Sequence, residues 1–450
     1  MVTRRDQAIG CPAKGIRPME RKLGYWALLA LVIGNMVGSG IYILPAQLAP
    51  LGWNQFAGWG ITIVGALALA RVFASLGARL PLAGGPYAYA TAAFGPLAGF
   101  TTAWAYWVMS WVGNAAVAVA VVSALSLIFP ALGTTTGAPA LLAVGCVWIV
   151  TFINIRGVRE AGRLQEVTVV LKLLPLVALI GIAVWLWLTG SPRAPDPGVP
   201  FTADNVALAA GLTFWGFLGL EAATVPADKV ENPGRNIARA TVMGVILTGL
   251  VYFGISFAFA LFMPVSEAAA SPAPIASFLG RYLGSDVAIA VALFAAISAF
   301  GTLNGWVLVQ AEMPWAMAKG GVFPAWFGVE GKHGTPVRSH LVSSGLLSGI
   351  TLLNYQKGMT DLFGFIASVS LSAGLVAYLM AALAALRLAR DNTLTLLAAL
   401  VAVAFFCWAE YGLGGEAITY AALLIGAGLP VYWAVQKNRQ LASSPSMGEG

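Results

Sequence analysis

Charge is scarce in this sequence: Asp, Glu, Lys and Arg make up 10% of 450 residues, beside two histidines and three cysteines. Each shortage excludes something. Cys11, Cys146 and Cys407 are too few and too scattered for a disulfide framework or a thiolate metal site. His333 and His340 are expected in one polar loop, and no apolar segment carries a metal-ligand cluster, so the constellations a membrane-embedded enzyme would need are missing. Neither a ring of like charges nor a repeated filter sequence points to a channel. No cofactor or metal is expected.

What is abundant is apolar surface. Hydrophobic residues make up 59% of the chain, and the mean hydropathy is +0.82, values that belong to an integral membrane protein. A helix of about 20 apolar residues crosses a hydrocarbon core of roughly 30 Å. Twelve such windows are predicted, over residues 24–49, 55–79, 97–128, 138–156, 165–189, 205–228, 239–263, 285–318, 338–355, 360–388, 393–412 and 416–435.

The net charge of +7 raises nucleic acid as a partner, but the distribution of basic residues argues against it. Alternate loops collect most of them, from Arg4 through Arg156, Arg159, Arg163, Arg235 and Arg239 to Arg439, while the opposite loops hold Arg193, Arg281 and Lys357. That asymmetry follows the positive-inside rule and predicts both termini in the cytoplasm, in a multi-pass protein of the cell (inner) membrane. The first 22 residues are polar and basic, without the apolar stretch and cleavage site of a signal peptide, so the first hydrophobic helix is expected to be a permanent span. The closing SSPSMGEG is small and polar and is expected to be disordered.

Two spans are interrupted. Residues 33–45 read IGNMVGSGIYILP and residues 211–221 read GLTFWGFLGLE, each with glycines in mid-span. In lipid a helix breaks only where its freed backbone groups are buried in protein or line a cavity. Gly34 and Gly38 also form a GxxxG face, so tight helix packing remains an alternative. Paired interruptions opening two successive sets of five spans are the signature of an inverted-repeat transporter, with substrate bound at the breaks. Unwound amides at Ser39 and Gly40, the Ser39 hydroxyl and the positive end of a half-helix suit a carboxylate, with Asn35 a further candidate in the same break. Carbonyls freed around Trp215 and Leu218 suit an ammonium group.

GSGIYILP, AGGPYAYA (residues 83–90), FGPLAGF (94–100), YW and WVGN (106–114), TFWGFLGLE (213–221) and ENPGRNIARA (231–240) together resemble the amino acid, polyamine and organocation (APC) transporter superfamily. Within it the chain is most similar to the basic amino acid and polyamine antiporters, especially those exchanging arginine for agmatine. The resemblance implies an all-α polytopic fold with twelve transmembrane helices, a LeuT-like 5+5 inverted repeat whose first and sixth helices are discontinuous. The divisions implied are a tail at 1–22, repeats at 23–190 and 205–390, two peripheral helices at 391–436 and a tail at 437–450. It further implies that Asn114, the backbone at Met109 and Ser110, Trp306 and Ser370 receive the side chain of the substrate. Trp215 would be an aromatic gate over the substrate, and Tyr106 and Tyr378 further gates on either side of the route. Trp53, Trp59 and Trp326 are expected to be interface anchors.

Lys172 in the fifth span and Glu221 in the sixth stand away from the span ends, where such groups are functional candidates. Glu221 matches the glutamate used in proton-linked switching. Lys172 departs from the arginine/agmatine exchangers and resembles the lysine of proton-coupled symporters and neutral amino acid exchangers, where it braces the fifth helix against the broken first. A desolvated lysine can also lose its proton, so Lys172 is a coupling candidate beside Glu221. A neutral amino acid carrier is therefore the alternative to a basic amino acid antiporter. The partners expected are a small amino acid or amine, protons and the lipid bilayer, with a homodimer left open.

Overall fold

The computed structural model describes residues 24–38, 40–80, 85–135, 137–156, 158–224, 230–353 and 359–443. Helix follows from the composition, because in an apolar solvent a single chain satisfies its backbone donors and acceptors most simply along its own axis. In chain order the helices are α1 (Tyr25–Met36), α2 (Gly40–Leu48), α3 (Asn54–Arg79), α4 (Pro86–Phe94), α5 (Pro96–Ser126), α6 (Ala131–Thr134), α7 (Ala138–Arg156), α8 (Val158–Leu188) and α9 (Ala203–Phe214). They continue with α10 (Pro233–Phe262), α11 (Val265–Ala270), α12 (Pro274–Leu283), α13 (Ser285–Lys319), α14 (Val337–Leu353), α15 (Met359–Leu388), α16 (Thr393–Gly426) and α17 (Gly428–Ser443). Among the described residues eight helical stretches are long and apolar enough to cross a membrane, and the bent pair α1 and α2 makes a ninth; Lys172–Leu188 of α8 is a shorter apolar stretch.

Both interruptions expected in mid-span are present. α1 ends at Met36, Val37 leaves helical geometry, and the chain resumes as α2 at Gly40, the pair meeting at 46°. α9 ends at Phe214 and gives way to 3-10 turns at Trp215–Phe217 and Leu220–Ala223. Between these turns Gly219 takes φ +96°, a left-handed conformation that favours glycine. A side chain there would also meet Asn35, whose Cβ would lie 2.9 Å away. The two breaks thus face each other across Gly219.

The break expected near residues 413–415 falls at Gly414 (φ +85°), a kink that divides α16 into two helical arms. α5 is the central post: α13 and α15 pack along it, and 94% of its most apolar window is buried inside the protein. Of the tryptophans expected at the interfaces, Trp53 and Trp326 are exposed, but Trp59 is fully buried. The reason lies in its indole N–H, which needs an acceptor away from water and donates to Ser256 Oγ at 2.8 Å. His340, expected in a polar loop, lies instead within α14 and is fully buried.

Candidate functional site

A small cavity lies where the two breaks meet α5, α13 and α15. Asn35, Gly40, Met109, Ser110, Asn114, Trp215, Leu218, Trp306 and Ser370, nine of the ten expected binding residues, line it. The tenth, Ser39, lies outside the described residues. Met36, Gly38, Gly113, Val117, Gly216 and Thr302 complete the wall.

Its shape depends on close approach at two glycines. A methyl group at Gly40 would overlap the Trp215 indole, and one at Gly113 would come 2.8 Å from Ser370 Oγ and 3.4 Å from the far edge of the same indole. Trp215 is thereby held between α2 and α5, with Phe363 edge-on at 5.7 Å between ring centroids. Every described residue in the wall is uncharged. Ser370 Oγ donates to the Met109 carbonyl at 2.8 Å and Ser110 Oγ to the Tyr106 carbonyl at 2.7 Å. Asn35 Nδ2 donates to the Leu31 carbonyl at 2.9 Å. Asn114 Nδ2 donates to Gln310 Oε1 at 2.8 Å, while its Oδ1 is buried without a partner among the described residues.

Lys172 and Glu221 bracket the breaks. Lys172 is buried on α8 and its ammonium donates to the Gly34 carbonyl, in the last turn of α1. Tyr42 of α2 donates to the Lys172 carbonyl at 2.5 Å, and Tyr252 of α10 donates to the Met36 carbonyl at 2.8 Å. Lys172 does not line the cavity. Glu221, in the second 3-10 turn, accepts from Tyr106 at 2.7 Å on one oxygen and from Tyr378 at 2.9 Å on the other. These two tyrosines were expected on either side of the route; here both hydroxyls close on one carboxyl group, because buried acceptor oxygens need donors.

Sequence reasoning missed Gln310, Tyr42 and Tyr252. Gln310 had a legible signal, an amide inside the apolar stretch WVLVQAEMPW, since polar side chains within spans usually bond across helices. The tyrosines gave none, because their partners lie more than a hundred residues away in sequence.

Comparison with known proteins agrees with this architecture. Residues 23–434 match the family model described as amino acid permease. The cadaverine/lysine antiporter of Escherichia coli (strain K12) is 34% identical over 80% of this chain and 82% of its own length. The putrescine transporters PotE of Haemophilus influenzae and Escherichia coli (strain K12) are 29% and 28% identical, over 92% and 94% of this chain and 97% and 98% of theirs.

Proposed function

The chain belongs to the amino acid permease family, and on that premise we propose that it is a secondary active antiporter exchanging a basic amino acid for an amine. It is a multi-pass membrane transport protein, not an enzyme. In the proposed cycle two inverted five-helix units, 23–190 and 205–390, rock about the breaks and expose one site alternately to each side. Both termini then face the cytoplasm of the inner membrane, and twelve spans result.

The observation that carries this reading is the uncharged cavity shared by the two broken helices. The backbone amides at Gly40 and Ser39 would take the substrate carboxylate, and the break at Trp215–Leu218 would take its α-ammonium. Trp215 would close over the aliphatic part. The distal cation would meet the indole face of Trp306, an attraction of roughly 0.5–2 kcal/mol, with Asn114, Ser370 and the main chain at Met109 and Ser110 as polar neighbours. The arginine/agmatine pair suggested by the motifs and the lysine, cadaverine and putrescine in the relatives' names share one chemistry, a chain tipped with hydrogen-bond donors. Lys172 supports this reading despite its charge, because its ammonium is committed to Gly34 outside the cavity wall. Glu221 and its two tyrosines are proposed as the proton-responsive switch.

Proteoliposomes preloaded with arginine, lysine, ornithine or their amines test the assignment. Exchange of labelled substrate against at least one of these is expected. Exchange confined to neutral amino acids would replace this reading with the neutral carrier.

A further inference from the structure

Behind the cavity wall a chain of hydrogen bonds crosses four helices, and its direction is determined by its far end. Thr151 Oγ1 on α7 lies 2.7 Å from the Val147 carbonyl, an atom that only accepts, so the single hydroxyl proton of Thr151 is spent there. Ser344 Oγ on α14 lies 2.7 Å from Thr151 Oγ1 and must therefore give its own proton to Thr151. That leaves Ser344 an acceptor toward Gln310 on α13, whose Nε2 is 3.2 Å away. Gln310 has its amide group turned to Ser344 and its carbonyl to Asn114, which donates to it across 2.8 Å. Asn114, Gln310, Ser344 and Thr151 are all buried, so the bonds between them are shielded from bulk solvent.

We infer that Gln310, set by Ser344 and Thr151, is a positioning residue that keeps the Asn114 carbonyl as the open acceptor of the site, and so selects substrates whose side chain ends in donors. The inference rests on the basic-substrate reading and deepens it. An asparagine alone is indifferent, since a half-turn of its amide exchanges acceptor for donor. The relay removes that freedom: reversing Asn114 would require Gln310, Ser344 and Thr151 to reverse in sequence and the Val147 contact to be given up. Oδ1 of Asn114, buried and without a protein partner among the described residues, is the atom this arrangement leaves for the ligand.

Arginine and citrulline are the probes, because they have nearly the same shape and differ by one donor nitrogen exchanged for an acceptor oxygen, with loss of the positive charge. The charge difference is the same for every variant, so the change in the ratio between variants reads the exchanged atom. Their affinities are measured by displacement of a labelled substrate from the purified full-length protein. Wild type is expected to favour arginine. Thr151→Val keeps the size of the side chain but frees the Ser344 proton, so Gln310 and Asn114 can reverse, and the arginine-to-citrulline preference should fall about tenfold, the scale of one hydrogen bond to a charged group. Thr151→Ser, which restores the hydroxyl, should restore the preference. Ser344→Ala, which removes the acceptor of Gln310, should lower it as Thr151→Val does, and carries the test if the valine variant fails to fold. A merely structural role would weaken both ligands alike and leave the ratio unchanged. An unchanged ratio in Thr151→Val or Ser344→Ala protein that still binds arginine overturns the inference. No binding of any cationic compound by wild type overturns instead the reading on which it rests.

Discussion

The two breaks are alike in position but are braced in opposite ways. At the first, freed carbonyls are the acceptors, and the donors come from elsewhere: Lys172 of α8 to Gly34, Tyr252 of α10 to Met36. At the second the acceptor is a side chain, Glu221, and the donors Tyr106 and Tyr378 arrive from α5 and α15. A main-chain carbonyl cannot be titrated in the range of biological pH, whereas a carboxylate can. The contrast therefore assigns the breaks different capacities. At the first the acceptors do not titrate, and the group that can is the donor, the Lys172 ammonium. At the second, gain of a proton changes the charge beside Gly219, the residue whose left-handed turn redirects the chain.

The largest effect should come from removing the clearance that lets the breaks meet. Gly40→Ala would drive a methyl group into Trp215, at a strain cost of about 1–3 kcal/mol, and transport should fall to background while the protein still reaches the membrane. Normal exchange would show that the two breaks move independently of this contact. Next is Lys172→Ala, which orphans the Gly34 carbonyl; loss of that partner should destabilise the fold by about 1–3 kcal/mol, read as a lower melting temperature in detergent. Transport should drop by the same factor at every pH, and a drop confined to one end of the pH range would make the first break the titrating one.

Glu221→Gln retains a side chain that both tyrosines can address but removes the proton equilibrium. It should bind substrate nearly as wild type does while the dependence of rate on pH, measured from about pH 5 to about pH 8, becomes flat. An intact profile would move the switch elsewhere, first to Glu410 of α16, a carboxylate that accepts from Ser372. The smallest effect is expected far from both breaks, at the exposed pair Arg79–Asp391, 2.7 Å apart. The hydrogen bond from Arg79 holds the Asp391 carboxyl below its usual range. Whatever stability this pair adds is present near neutral pH and is lost as pH falls through that lowered value. Asp391→Asn should leave transport unchanged, and its melting temperature should match wild type in acid.

The breaks were legible because glycine in mid-span is a backbone signal, local to the residues that carry it. Nine of the ten binding candidates gather round one cavity for a related reason: they cluster in short motifs on few helices. The brace from Lys172 is expected against the broken first helix, and it falls on Gly34 in the last turn of α1. What sequence reading could not give was the orientation of one helix about its axis relative to another. Tyr106 and Tyr378 converge on one acid, and Trp59 turns inward, through rotations that no local pattern encodes. His340 misled in a similar way, since a polar neighbourhood in sequence became the buried start of α14.

The enclosure of α5 has a consequence for how the protein is made. This helix carries Tyr106, Met109, Ser110 and Asn114, and α15, one of the two helices that enclose it, begins about 230 residues after α5 ends, a delay of roughly 12–50 s at ordinary synthesis rates. Until Glu221 and Gln310 have also been made, the Tyr106 hydroxyl and the Asn114 amide stand in hydrocarbon or against a temporary companion. The newborn chain is thus most exposed at the helix the finished one hides best, and an insertion factor that shelters single polar spans would act at this stage.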